Sequence, residues 1–431
     1  MNSFVLRNGQ VIDPINSIND VLDIEVIDGK ISRIEKSIVS NYETIDVSGK
    51  LVTPGLVEIH AHFREPGFTH KEDLRTGSIA ALKGGYTTVC VMPNTSPVID
   101  SSYLVEYIKL RSKDIDLINI EVIAAVTKNL GGNELADLVA LKQSGAIAYS
   151  DDGMPIMNPK MMRNALEYIK PLGLPIILHE EDHDLSLPGA MNEGSVSTKL
   201  GLSGTPGLAE EVMIARDILL SEKTNSPIHI AHVSTKKSVE LIRQAKKDGV
   251  LITCEVTPHH LLLTDEALLD RPYDTNLKMS PPLRTREDVL ECVKGINDGT
   301  IDAIATDHAP HTLVDKSGNF DRASFGVSGL ETSVGVIWTE LVHKDVIDMK
   351  VAIEKMALAP ARILGLETKG LQVGAEANIT VIAPEQKWTV DPKCFESKGK
   401  NSPFIGKEMQ GKAYLTMIAG SIVMLDGQII G

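Results

Sequence analysis

Cysteine is sparse in this chain: its four residues, Cys90, Cys254, Cys292 and Cys394, lie too far apart for a zinc knuckle or a disulfide framework. They read as small buried hydrophobes in a reducing cytoplasm. Nowhere do about 18 apolar residues run unbroken, so no membrane span is expected. The stretch from Met1 to Asp13 lacks the basic start and continuous apolar run of a secretory signal. Basic charge is in deficit as well. Lys and Arg number 43 against 58 Asp and Glu, a formal charge of −15, which excludes a broad nucleic-acid surface and leaves any anionic ligand to local cations or metal. Internal repeats and low-complexity tracts are also missing. What is present is a globular balance, 42% apolar and 23% charged. The 431 residues are too many for one ordinary compact core, so two domains are expected.

Apolar and polar residues alternate from Val21 to Ile27 and from Ile31 to Ile34 around Asp28-Gly29, a hairpin pattern. Short strand patterns return in Ala377 to Ile382 and Tyr414 to Met424. Residues 1–53 and 365–431 are therefore expected to build one small β-sandwich-like domain from both termini. Between them, residues 54–364 alternate short apolar runs with helix-like stretches, the habit of parallel βαβ units. The runs are Leu56 to His60, Thr87 to Met92, Ile120 to Val126, Ala146 to Ser150, Pro175 to His179, Ile228 to His232, Val250 to Val256 and Ala303 to Thr306. Eight strands in roughly 300 residues fit a closed (β/α)8 TIM-like barrel, with a doubly wound sheet as the alternative. Gly84-Gly85 and Gly173 supply helix stops before the second and fifth runs. Thr312 to Ser324, rich in Asp, Lys, Ser and Gly, reads as an exposed loop placed to act as a lid.

The chemistry-bearing residues fall at the ends of these runs. His60 and His62 form an i, i+2 pair that extended backbone points to one side. Asp151 and Asp152 follow the fourth run, His179 and His232 end the fifth and sixth, and Asp307-His308 follows the eighth. In a barrel all C-terminal strand ends converge on one face. A lone strand-end His is usually structural, and an Asp after a strand is commonly a helix N-cap. The joint occurrence at five strand ends is what singles out a metal site. Four imidazoles and two carboxylates, one of them from the Asp151/Asp152 pair, suit two divalent ions, with zinc the default and manganese or cobalt possible.

Several motifs carry a family resemblance. Gly55-Leu56-Val57-Glu58-Ile59-His60-Ala61-His62-Phe63-Arg64-Glu65-Pro66-Gly67 resembles the metal-binding signature of the amidohydrolase superfamily in its dihydroorotase form. Gly84-Gly85-Tyr86-Thr87-Thr88, Met92-Pro93-Asn94-Thr95, Ser150-Asp151-Asp152-Gly153, Glu255-Val256-Thr257-Pro258-His259-His260 and Ala305-Thr306-Asp307-His308-Ala309-Pro310-His311 continue it. The likeness runs essentially end to end and is closest to class I dihydroorotases of bacterial type. Hydantoinases and allantoinases share the fold and the His-X-His start but usually bridge their metals with a carbamylated lysine. No lysine stands in Ala146 to Gly153, where this chain offers Asp152.

The resemblance implies that His60 and His62 bind one metal with Asp307, His179 and His232 bind the second, and Asp152 bridges them, while Asp151 orients a ligand or loop. It implies a hydroxide bridging the metals as nucleophile, Asp307 as proton shuttle, and dihydroorotate, interconverted with N-carbamoyl-L-aspartate in pyrimidine synthesis, as substrate. Arg64, two residues beyond His62, would bind the substrate carboxylate bidentately. Asn94 and His311 resemble the other carboxylate contacts, and Phe325-Gly326 a segment whose backbone contacts the substrate ring. Ser280, in Lys278-Met279-Ser280-Pro281-Pro282-Leu283-Arg284, stands where the family usually has a substrate-contacting Asn. His259 and His260 follow a strand without metal ligands in the family and read as supporting residues. Homodimerisation and association with aspartate transcarbamoylase are further family expectations. The rival readings are a hydantoinase- or allantoinase-like hydrolase and a catalytically silent partner of the transcarbamoylase.

Overall fold

The computed structural model describes residues 3–430. Eight parallel strands form the central sheet: β1 (Leu56–Ala61), β2 (Tyr86–Val91), β3 (Asn119–Ala124), β4 (Ala146–Ser150), β5 (Ile176–Leu178), β6 (Ile228–Ile230), β7 (Ile252–Val256) and β8 (Ala303–Ile304). They pair in sequence order from β1 to β8. Most positions of these apolar runs are buried, as strands covered on both faces require. The barrel closes without a regular β8–β1 ladder. A parallel bridge joins Ala61 to His308, the His62 N–H donates to the His308 carbonyl at 2.8 Å, and the Glu58 carboxylate accepts from the Thr306 and His60 N–H groups.

Helices return the chain between strands. The first, Leu74–Gly84, starts at Asp73, whose carboxylate accepts the Thr76 N–H, and stops at Gly85 with φ 89°. Helices Leu208–Thr224, Lys236–Lys247 and Arg286–Asp298 cover β5 to β8, and their apolar faces join the main core with Ile214, Val239, Ile242 and Ile296.

Apart from a two-stranded ribbon of Met191–Asn192 with Gly204–Thr205, the remaining strands make one nine-stranded sheet from both ends of the chain. Ile18–Ile27 and Lys30–Glu35 form the hairpin around Asp28-Gly29, and Leu51–Pro54 pairs antiparallel with Ile379–Thr389, which continues to Glu408–Ile418 and Ser421–Leu425. Phe4, Leu6, Val11, Ile379, Leu415 and Met417 give this sheet its own core, while Ile12, Leu51, Ile382, Ala413 and Met424 join the barrel core. No helix among the described residues is long and apolar enough to cross a membrane.

The loop 312–324 is largely exposed, as expected, but it is anchored at three points. Leu313 and Val314 are 79% and 80% exposed, but Lys316, Phe320 and Ala323 are buried. The Lys316 ammonium donates to the carbonyls of Lys278, Ser324 and Gly326, tying the loop down where its composition suggested solvation.

Candidate functional site

Strand ends bring the histidines and aspartates together. His60 lies in β1 and His62 one residue past it, with ring centroids 5.4 Å apart. His179 and His232 follow β5 and β6, and Asp307 follows β8. His232 and Asp307 adopt positive φ, 32° and 46°. The chain has left the ladder there, and this sparsely populated backbone aims both side chains inward. Asp152 sits among the imidazoles, with an oxygen 3.4 Å from each Nε2 of His60 and His62, 3.6 Å from His179 Nδ1 and 3.7 Å from His232 Nε2. Asp307 Oδ1 lies 3.1 Å from His62 Nε2 and 3.6 Å from His60 Nε2. Asp151 turns the other way, accepting from the Val126 and Thr127 N–H groups and the Thr127 hydroxyl.

The donor set fits divalent cations. His60, Asp152 and His232 form one group with ligand atoms within 4.8 Å of one another, and His60, His62 and Asp307 form a second. His60 Nε2 and Asp152 Oδ1 are buried and make no hydrogen bond, a costly arrangement unless something else satisfies them. Burial opposes charge on His60, yet Asp152, Asp307 and Glu255 outweigh it and hold its proton well above the usual imidazole range. The same imidazoles hold Asp152 and Asp307 below the usual carboxylate range despite burial. The centre of the cluster calls for positive charge.

Two carboxylates that the sequence reading passed over orient the ligands. Glu255 accepts the His60 Nδ1–H at 2.7 Å and the His229 Nε2–H at 3.2 Å, which leaves His60 Nε2 free for a cation. Its signal was a charged glutamate inside the mostly apolar run of β7. Glu181 accepts the His179 Nε2–H at 3.1 Å and turns Nδ1 toward Asp152. Ser280 donates its hydroxyl to the same carboxylate at 3.2 Å, so its side chain supports a ligand as well as facing the pocket. His260 is held by Thr257 and the Pro281 carbonyl. Burial pushes His259 down to about 4, and neither residue lines the pocket.

A pocket of about 170 Å³ opens above the cluster, and His62, Arg64, Asn94, Ser280, His311, Phe325 and Gly326 all line it. Arg64 is half-buried, and although desolvation lowers its pKa to about 10, with Asp307 and Asp152 opposing, the guanidinium stays charged at neutral pH. Asn94 accepts the His62 Nδ1–H at 2.8 Å, and its amide lies 3.4 Å from Asp152 Oδ2. Burial, with Arg64 and Lys71 nearby, pushes His311 down to about 3. As a neutral ring it donates from Nε2 to the Phe325 carbonyl at 2.7 Å, while Lys71 lies 3.4 Å from Nδ1. The Gly326 backbone is already paired within the protein: its N–H donates to the Lys278 carbonyl, and its own carbonyl accepts from Lys316 and Asn401. These bonds fix Gly326 at the edge of the pocket, which it lines together with Phe325.

Gly326 has φ 123°, and a Cβ there would lie 2.7 Å from Ala309 Cβ and 2.9 Å from Ala309 O. Gly326→Ala is expected to lower unfolding stability by about 2 kcal/mol, through strain at positive φ and displacement of the Ala309 turn. Denaturant unfolding of the two proteins measures this; equal midpoints and slopes would show that the loop absorbs the methyl group.

Residues 49–238 match the family model described as Dihydro-orotase-like. A protein of Pelotomaculum thermopropionicum named dihydroorotase is 49% identical over 423 residues, 98% of each chain. One of Geotalea daltonii with the same name is 48% identical over 425 residues, 98% of this chain and 99% of that one. Among solved structures, an L-hydantoinase from Arthrobacter aurescens aligns with a TM-score of 0.88 at 24% identity, covering 100% of this chain and 98% of its own. A dihydropyrimidinase from Brevibacillus agri NCHU1002 aligns with a TM-score of 0.86 at 20% identity, covering 100% and 96%. These two structural likenesses carry the fold.

Proposed function

The chain belongs to the dihydroorotase family, and on that footing we propose that its pocket interconverts (S)-dihydroorotate and N-carbamoyl-L-aspartate, a step of pyrimidine synthesis. It is a cyclic-amide hydrolase of the amidohydrolase superfamily. One observation carries the site assignment: a half-buried, charged Arg64 faces the same 170 Å³ pocket as the imidazole–carboxylate cluster. A carboxylate-bearing ring is the ligand that such a pairing suits.

His60, His62 and Asp307 would hold one divalent cation and His179 and His232 another, with Asp152 shared; zinc is the first choice for so many imidazoles. Such a pair, when bound, polarises a ring carbonyl and lowers the pKa of water from about 15.7 towards 7. Asp307, at the pocket floor, takes the proton that water loses as its oxygen bonds the carbonyl carbon. It returns that proton to the ring nitrogen as the carbon–nitrogen bond breaks. Ring closure reverses both transfers. Arg64 fixes the exocyclic carboxylate with Asn94 and His311 beside it, so the ring meets Asp307 in one orientation.

Chelation is expected to abolish turnover and zinc to restore it, with metal analysis returning about two ions per chain. Side-by-side assays of dihydroorotate, hydantoin and allantoin test the substrate, and faster turnover of either of the last two would overturn the assignment. A protein carrying only trace metal and no turnover would instead be a structural partner. Homodimerisation and binding to aspartate transcarbamoylase belong to the same proposal, and sizing the protein alone and mixed with that enzyme tests them.

A further inference from the structure

After the short helix Pro392–Cys394 the chain crosses from the terminal sheet to the barrel mouth, where Asn401 is buried. Its Oδ1 accepts the His311 N–H at 3.0 Å. Its Nδ2 donates to the Gly326 carbonyl at 3.0 Å and, at longer range, to the Ala309 carbonyl at 3.4 Å. Its own carbonyl accepts the Ser328 N–H at 2.7 Å, and the Ser328 hydroxyl donates to Gly399 O at 3.0 Å. The approach is tight. A Cβ at Gly399 would lie 2.7 Å from Pro310 Cα and 2.8 Å from Asn401 Oδ1.

Among the described residues, every hydrogen-bond partner of Asn401 lies between 309 and 328, on the two flanks of the 312–324 loop, one carrying His311 and the other Phe325 and Gly326. The carboxamide suits this junction because one flank offers an N–H and the other a carbonyl, so a donor and an acceptor must sit on one planar group. With an apolar side chain there, the buried His311 N–H would lose its acceptor, and the loop would shift to find another.

We propose that Asn401 is a positioning residue for the carboxylate-binding half of the pocket, setting where the His311 imidazole and the Phe325-Gly326 edge meet the substrate. A segment far beyond the last barrel strand thereby takes part in substrate recognition. The proposal rests on the reading above in which His311 and Arg64 face the substrate carboxylate. It concerns binding geometry and leaves the cation cluster untouched.

The test uses the full-length, zinc-loaded protein, with Asn401→Ala and Asn401→Asp each made alone and combined with His311→Ala. Asn401→Ala is expected to raise KM for dihydroorotate about tenfold while kcat and metal content stay at wild-type levels. Asn401→Asp keeps the acceptor for the His311 N–H and is expected to recover part of that loss. In the His311→Ala background, removing Asn401 should add less than about twofold, the mark of residues acting as a unit. Unchanged KM, a loss confined to thermal stability, or fully additive effects would overturn the role. If Asn401→Ala does not fold, Asn401→Asp and its cycle carry the same criteria. An active wild type with additive effects sinks the Asn401 role alone, whereas a wild type that never turns over dihydroorotate sinks the functional reading and the role together.

Discussion

Asp307→Asn is expected to keep its metal and lose turnover by roughly 100-fold or more, within the usual reach of acid–base catalysis. Asparagine has nearly the same shape and retains an oxygen that can face a cation, while Asp152 and four imidazoles are unchanged. What it lacks is a basic lone pair able to accept a proton from water and return it to nitrogen. The prediction therefore separates two jobs of one side chain. Steady-state kinetics together with metal analysis on the same preparation checks it. Near-normal kcat would remove the proton-transfer role, and loss of metal alongside activity would make Asp307 chiefly a ligand.

Arg64→Ala should act on binding where Asp307→Asn acts on chemistry. Arg64 is half-buried and its backbone is held at φ 60°. Losing a desolvated, bidentate charge partner is expected to cost about 3 kcal/mol, or roughly 150-fold in kcat/KM, most of it in KM. Arg64→Lys keeps the charge without the planar fork and should recover only part of the loss. Metal content should match wild type in both. If both variants stay within about threefold of wild type, the substrate carboxylate is held elsewhere.

The barrel was legible because its strands are short, apolar and separated by amphipathic stretches; Ala146 to Ser150 is a strand over that same span. The ends were harder. His179, His232 and Asp307 lie just beyond their strands, because residues that aim at a shared centre leave the ladder, and no periodicity marks that departure. Polar side chains at strand ends could be read from sequence because they interrupt apolar runs. Glu255 sits within such a run, and only its bond to His60, across the barrel, gives it meaning. Asn401 was out of reach for a different reason: its partners His311 and Gly326 are 90 and 75 residues away, and hydrogen bonds of that span leave no trace in local pattern. Ser280 drew notice as a departure from a family pattern, but its partner Glu181 could be found only in three dimensions.

The pairing of Leu51–Pro54 with Ile379–Thr389 has a consequence for synthesis. Thr53 and Thr380 are 327 residues apart, so at about 5–20 residues per second a ribosome delivers the second strand roughly 15 to 65 seconds after the first. Throughout that interval the N-terminal hairpin and its neighbours present an open edge, vulnerable to pairing with another nascent chain. The two ends of the polypeptide can complete their common sheet only once the whole barrel between them has emerged.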